Sequence, residues 1–409
     1  MNDICKILLL VVTFFIACEN ENLSKNPSDP KETIIDSTKI QYILVSHETA
    51  DEEMFIAVSQ KLKNQSTSSV MTGVSLFLCY LQKPIGQVKD QLEKFLNLAD
   101  KYNLPVMVQF DGIDYQNAYP ELWNWWDPSL PGYNPVNVNN VEWTSWTPES
   151  AVKLGWRNWG SQHRVGPMPN LASTAYRELC FKQLRVLVPI VLNWWKEPGK
   201  KHQLVGIQMD NEVSIGANNY FLPDGNSYLN KPKEEDPQLK LNHTVWPGFG
   251  AQAMGFAAVK TQGLADSGNL KEEDIAKVTE KYVHDLCKFS NELGIPRNKL
   301  FTHAGGWKEG QLVFYSALNE YSCPGWSFYH YVANPAMDIT AMDALKKSDA
   351  PFWCNAETFL MNGKTEQEWI ECLNNNLKIS RILYVNIRNW RGMKDKDFLF
   401  SAIKKVQGN

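Results

Sequence analysis

The absences come first. No G-x-G-x-x-G turn and no P-loop occurs anywhere in the chain, which disfavours a nucleotide-binding fold. No C-x-x-C pair and no His/Cys cluster is present. The six cysteines after Cys18 (Cys79, Cys180, Cys287, Cys323, Cys354 and Cys372) are scattered singly and read as buried thiols, with one disulfide left open for an exported chain. Lys and Arg number 41 against 45 Asp and Glu, a net charge of -4, and no basic stripe suggests a nucleic-acid partner. No metal and no cofactor is expected. The first apolar run, residues 7–16, is shorter than the ~20 residues that span a bilayer.

What is present points to one large domain. The chain has 409 residues, 44% of them hydrophobic. That suits a single α/β barrel, a fold that runs from ~250 to over ~400 residues. Tryptophan is abundant, with 15 residues, several of them clustered: Trp123, Trp125 and Trp126; Trp143 and Trp146; Trp156 and Trp159; Trp194 and Trp195. Core filling explains such residues in apolar segments. In stretches rich in Pro, Gly and Asn, the same flat rings could instead stack on sugar C–H faces, and both readings stay open for 123–159.

The N-terminus reads as an export signal. Lys6 precedes the apolar run, which ends in Ala17 and Cys18. A small residue followed by Cys resembles a lipoprotein cleavage site, with Cys18 as the lipidated residue and an outer-membrane, cell-surface or otherwise periplasmic address. Residues 19–37 are polar and Pro-containing, as a flexible tether would be.

From residue 38 to 409 strand-like and helix-like segments alternate, which argues for parallel sheet with crossover helices. Strand expectations fall at 40–46, 70–79, 104–110, 204–209, 299–303, 326–331, 351–356 and 381–387. Helices are expected at 52–62, 85–102, 173–196, 272–293 and 396–405. Eight such units predict a closed (β/α)8 barrel, the α/β fold class known as the TIM barrel. Long loops follow the third and fourth strands, the second one containing the charged run 230–240. Both loops belong at the C-terminal face, where barrels of this kind build their sites.

Two strand ends carry the chemistry. The fourth ends in Asp210, Asn211 and Glu212; the seventh ends in Asn355, Ala356 and Glu357. A pair of carboxylates facing each other across a barrel mouth is what acetal hydrolysis needs: one protonates the leaving oxygen while the other attacks or assists at the anomeric carbon. A lone Glu is usually a solvated charge, but each of these comes directly off an apolar strand. Strand alternation would place Glu357, Asn355 and Trp353 on one face. Weaker candidates at strand ends and in the loops are Asp111, His303, Trp307, His163 and Arg164, each equally well explained as a loop-stabilising polar group. Asp111 lacks a His partner at ligand spacing, so metal-dependent hydrolysis is not expected.

The run GIQMDNE resembles the strand-4 motif of clan GH-A, the large group of retaining barrel glycosidases. The segment QHRVGPMPNLASTAYRE at 162–178, followed by a helix and then VGIQMDNE, is similar to the region preceding the acid/base in family 42 β-galactosidases. The resemblance implies that Glu212 is the acid/base and Glu357 the nucleophile. It implies that Asn211 contacts the sugar 2-hydroxyl, that Tyr329 or Tyr331 positions the nucleophile, with Tyr331 favoured slightly, and that Trp390 floors the sugar site. The Arg that many clan members carry on strand 2 has no counterpart in VMTGVSLFLCYLQ. The expected function is a retaining β-glycoside hydrolase releasing terminal β-galactosides or related β-linked sugars. An endo-acting β-glucanase or β-mannanase is the alternative, and a non-catalytic surface glycan-binding lipoprotein is the alternative of another class.

Overall fold

The computed structural model describes residues 40–408 except 63, 65–67, 113–117, 154, 158–164, 201–202, 214, 216–218, 221–253, 307–311 and 361–362. The signal and tether, including Cys18, therefore lie outside the described residues. So do His163, Arg164, Trp159, Trp307 and the charged run 230–240.

Eight parallel strands close a barrel: β1 (Gln41–His47), β2 (Val70–Cys79), β3 (Val106–Asp111), β4 (Leu204–Val213), β5 (Leu300–Gly306), β6 (Gly325–Phe328), β7 (Trp353–Thr358) and β8 (Ile382–Arg388). Neighbours in sequence are neighbours in the barrel, and β8 pairs with β1 to close it, Tyr42 opposite Tyr384 and Ser46 opposite Arg388. The (β/α)8 expectation is met. Both faces of each strand are covered, which is why the strands read as near-continuous apolar runs. Inside the barrel Tyr42, Leu44, Met107, Val205, Phe301 and Tyr384 pack together. A larger apolar layer lies between the strands and the helices outside.

Among the described residues, seven longer helices form the outer layer: α1 (Glu52–Lys61), α2 (Ile85–Tyr102), α3 (Thr174–Trp195), α4 (Glu272–Glu292), α5 (Ile339–Lys347), α6 (Glu366–Leu377) and α7 (Asp397–Gln407). In α2 the buried residues Val88, Leu92, Phe95, Leu96 and Ala99 recur at helical spacing and define the face laid on the barrel. The start of α6 is set by a capping box between Thr365 and Glu368, which satisfies two otherwise unpaired N–H groups. Among the described residues between β5 and β6, the crossover contains a short 3-10 turn, Leu312–Ala317.

The long loops are less open than the sequence suggests. A small antiparallel sheet joins Gly155–Arg157 to Val165–Gly166 and to Asn219–Tyr220, linking the loop after β3 to the loop after β4. Trp123 and Trp143 are buried, and Trp125, Trp126 and Trp146 pack partly buried against the core. Trp146 Nε1 donates to the Gly268 carbonyl at 2.7 Å. These rings hold the loops together, so the sugar-stacking reading does not apply to Trp123 and Trp143. The six cysteines after Cys18 are free thiols, all but Cys79 buried.

Candidate active site

The site sits where β4 to β8 end, and two irregularities of register build it. Between β4 and β5 the pairing jumps from Met209 opposite Thr302 to Val213 opposite Ala304, so β4 carries two extra residues. Asp210 (φ 63°) and Glu212 (φ 48°) take up the excess in the left-handed region. The Asp210 side chain turns outward, accepting from Tyr282 Oη at 2.6 Å and from the Gly112 N–H at 3.1 Å. Asn211 Oδ1 accepts from Gln109 Nε2 at 3.0 Å on the inner face, while its buried Nδ2 has no acceptor among the described residues. Glu212 is likewise turned into the mouth. Its Cβ lies where β5 comes closest, and that place is held by Gly305: a Cβ on residue 305 would stand 2.8 Å from the Glu212 Cβ.

On β7 the register slips once between Asn355 and Thr358, against β8 as well as β6. Before the bulge, Trp353 and Asn355 face the helices: Trp353 Nε1 donates to the Ser380 carbonyl at 2.9 Å, and Asn355 Nδ2 donates to Asn376 Oδ1 of α6 at 2.7 Å. After it, Glu357 faces the mouth. The expectation that Asn355 and Glu357 share a face is therefore corrected, because the extra residue inverts the alternation between them. Asn355 belongs to the strand–helix layer and lines no sugar site.

Glu212 and Glu357 meet across the mouth. One carboxylate oxygen of each, together with one ring nitrogen of His303, lie within 4.8 Å of one another. The Tyr329 hydroxyl donates to Glu212 and stands 3.5 Å from Glu357 Oε1. Tyr329, next after β6, is thus the tyrosine of the site. Tyr331 stands two residues further on, against the His330 ring. Arg388 Nη1 binds Glu357 Oε2 at 2.6 Å, with the guanidinium carbon 4.4 Å from the Phe77 ring centre.

Trp390 also departs from expectation. It is 1% exposed and packs edge-on against Phe400 of α7, in the apolar layer outside the barrel. The place expected for it at the end of β8 is taken by Arg388. Asp111 is buried at the end of β3 with Cys79 Sγ 3.5 Å from its Oδ2. His47 is a loop-stabilising group, its Nδ1 receiving the Thr49 N–H at 2.9 Å.

His303 is fully buried beneath the carboxylates. Its Nδ1 faces Gln208 Nε2 at 2.9 Å and Gln109 Nε2 at 3.2 Å, and its Nε2 faces Ser327 Oγ at 2.6 Å. Burial first, and then the Arg388 charge, depress its pKa well below the ordinary value, so it stays neutral. Glu212, His303 and Glu357 are close enough to offer ligand atoms to one metal ion. Both ring nitrogens of His303 are already engaged, however, and metal binding would have to break one of those bonds.

Burial, and then the Glu357 charge, push Glu212 up to about 7, while Tyr329, Arg388 and Ser327 act in the opposite sense. A buried carboxyl that holds its proton near neutral pH, opposite a carboxylate paired to a guanidinium, is equipped to donate a proton on one side and attack on the other.

The sequence reading missed Arg388, Ser327, Gln109, Gln208 and Tyr384. For the first four the available signal was a polar residue inside an apolar strand, as in VMVQF, LVGIQM, GWSF and ILYVNIR, since a polar group at an inward position must find a partner.

No protein-family model matches the chain, and no curated protein matches it. Among solved structures it is similar to a ruminal GH26 endo-beta-1,4-mannanase (TM-score 0.45, 13% identity, covering 94% of this chain and 68% of that one). It is also similar to a Bacillus subtilis mannanase (TM-score 0.43, 11% identity, 90% and 84%). An exo-beta-agarase is a third (TM-score 0.40, 12% identity, 79% and 46%). Similarity at that distance assigns neither substrate nor residue roles to this chain.

Proposed function

We propose that the protein is a retaining β-glycoside hydrolase in which Glu212 is the acid/base and Glu357 the nucleophile. The observation that carries the proposal is that one carboxylate oxygen of Glu212 and one of Glu357 lie within 4.8 Å of each other across the mouth. Retaining enzymes hold the pair ~5–5.5 Å apart, whereas ~6.5–9.5 Å leaves room for an attacking water and inversion.

The reaction follows from the charges. Glu357 attacks the anomeric carbon as Glu212 gives its proton to the departing oxygen, forming a covalent glycosyl–enzyme. The esterified Glu357 no longer carries the charge that helps hold the Glu212 proton, so Glu212 becomes the stronger acid and takes up the role of base towards water. Water then attacks the anomeric carbon from the face the leaving group vacated, and Glu357 is released. Asn211 Nδ2 offers a buried donor to the sugar 2-hydroxyl. Terminal β-galactosides or related β-linked sugars are the substrate class favoured, on the resemblance of residues 162–178. Export as a lipoprotein through Cys18 belongs to the same proposal.

The test is hydrolysis of a panel of aryl β-glycosides, with the anomer of the first product read by NMR and with Glu357→Gln as control. Early release of the β-anomer, abolished in the variant, is the expected result. Early release of the α-anomer overturns retention. Glycan binding without cleavage of any member of the panel would favour the surface-binder reading instead.

A further inference from the structure

The bulge of β7 that turns Glu357 into the mouth stands opposite one residue of β8. The pairing of the two strands passes from Asn355 opposite Val385 to Thr358 opposite Ile387. Ala356 and Glu357 therefore share a place that β8 fills with Asn386 alone, and the regular ladder is interrupted there. The Asn386 side chain reaches the bulge: its Nδ2 donates to the Ala356 carbonyl at 3.0 Å. Asn386 Oδ1 lies 2.7 Å from Ser75 Oγ of β2. Ser75, Ala356 and Asn386 are all buried.

The acceptor at the end fixes the direction of both bonds. A backbone carbonyl can only accept, so the Asn386 atom that faces Ala356 is the amide nitrogen. The atom that faces Ser75 is then the amide oxygen, and the Ser75 hydroxyl donates to it. The two residues belong to strands on either side of β1, where Ser46 pairs with Ser75 and Leu44 with Asn386. The bond between their side chains spans β1 and ties β2 to β8.

We infer that Asn386, held by Ser75, is a positioning residue for Glu357. The inference rests on the reading of Glu357 as nucleophile. The Ala356 carbonyl and the Glu357 N–H belong to one planar peptide unit. A donor that holds this carbonyl sets the tilt of the unit, and the tilt sets the direction in which the Glu357 side chain leaves the backbone. Two positions further along the same strand, Arg388 Nη1 binds the Glu357 carboxylate at 2.6 Å. β8 thus grips Glu357 twice, by its backbone through Asn386 and by its side chain through Arg388. Strand pairing alone does not hold a bulged segment in one place, and attack on an anomeric carbon requires that the attacking oxygen be held. A misplacement near ~1 Å costs on the order of 10²-fold in rate.

The experiment isolates the attacking step. Dinitrophenyl β-glycosides lose their leaving group without a proton, so the pre-steady-state burst of dinitrophenolate reads Glu357 and not Glu212. The burst rate and the substrate Kd are measured in the parent protein, in Asn386→Leu, in Ser75→Ala, in Ser75→Thr and in the double variant Asn386→Leu/Ser75→Ala. Asn386→Leu should lower the burst rate by on the order of 10²-fold with Kd little changed. Ser75→Ala should lower it less, and Ser75→Thr, which keeps the hydroxyl, should retain most of the parent rate. In the Asn386→Leu background Ser75→Ala should add no further loss, because the two side chains act as a unit. A general loosening of the barrel would instead weaken Kd and lower Tm, with losses that add in the double variant. An unchanged burst rate in Ser75→Ala and in Asn386→Leu overturns the inference, and Ser75→Ala decides alone if Asn386→Leu does not fold. Crystal structures of the parent and of Ser75→Ala read the position of Glu357 whether or not a sugar is cleaved. A parent protein that cleaves no glycoside removes the nucleophile reading. A Glu357 carboxylate displaced from Arg388 in the variant crystal then leaves the positioning role standing, and an unmoved one removes it as well.

Discussion

Arg388 holds Glu357 from the neighbouring strand, Nη1 to Oε2 at 2.6 Å, while its guanidinium lies over the Phe77 ring of β2. A planar guanidinium can pair with a carboxylate and stack on a ring together; an ammonium cannot do both. Arg388→Lys should therefore lower kcat by on the order of 10²-fold with little change in fold. Arg388→Met should cost more, and should also destabilise the protein by ~3 kcal/mol because Glu357 is left buried without its partner. Single-turnover rates and chemical denaturation check the two effects separately.

Tyr329 and Tyr331 are separated by one residue and should behave as opposites. Tyr329→Phe removes the hydroxyl shared by Glu212 and Glu357. It should lower kcat by ~10²-fold, on the scale of losing one preorganised donor. Tyr331→Phe should cost kcat less, since it is the Tyr329 hydroxyl that reaches both carboxylates. Equal losses from both substitutions would argue against Tyr329 as the bridging group.

Gly305 is required by its neighbour rather than by its own backbone. An added methyl would stand 2.8 Å from Glu212 Cβ and 3.2 Å from its Cα, and neither atom can swing away. Gly305→Ala should push Glu212 out of line and, on the proposed role of Glu212, lower kcat/KM by on the order of 10²-fold, the cost of a displacement near ~1 Å. The shift should be visible as an altered alkaline limb of the pH profile.

Glu142 ties the loop after β3 to the chain beyond the loop after β4, one carboxylate oxygen accepting the Gly255 N–H at 2.9 Å. Burial pushes it up to about 8 from 4.5. Below 4.5 folded and unfolded chains both hold the proton, and the contribution to stability is complete. As pH rises from there to about 8, the unfolded chain loses the proton first, and stability falls by up to ~1.4 kcal/mol per pH unit. Glu212, pushed up to about 7, contributes to the same decline. Glu142→Gln should flatten the fall of Tm between pH about 5 and about 8 relative to the parent protein, with the difference persisting above about 7, where Glu212 no longer titrates.

Much of the barrel was legible in the chain because its elements are local. The bounds of β2 and α2 agree with the sequence expectation at both ends, since an apolar run and a 3.6-residue periodicity are written in consecutive residues. The limits of β4 were less legible: expected to stop at Met209, it continues to Val213. No local pattern announces that Asp210 and Glu212 take left-handed conformations. That depends on β5, whose partner residues lie about ninety positions later in the chain.

The sequence by itself determined eight strands, their order, and a carboxylate at the ends of β4 and β7. These follow from composition and spacing along one stretch of chain. Only the tertiary structure decided which side chains meet. It turned Asn355 out and Glu357 in through a single extra residue on β7. It put Trp390 in the outer layer and Arg388 in the mouth, and chose Tyr329 over Tyr331. The physical reason is that facing depends on register between strands, and register is set by packing around the closed barrel rather than by any one segment.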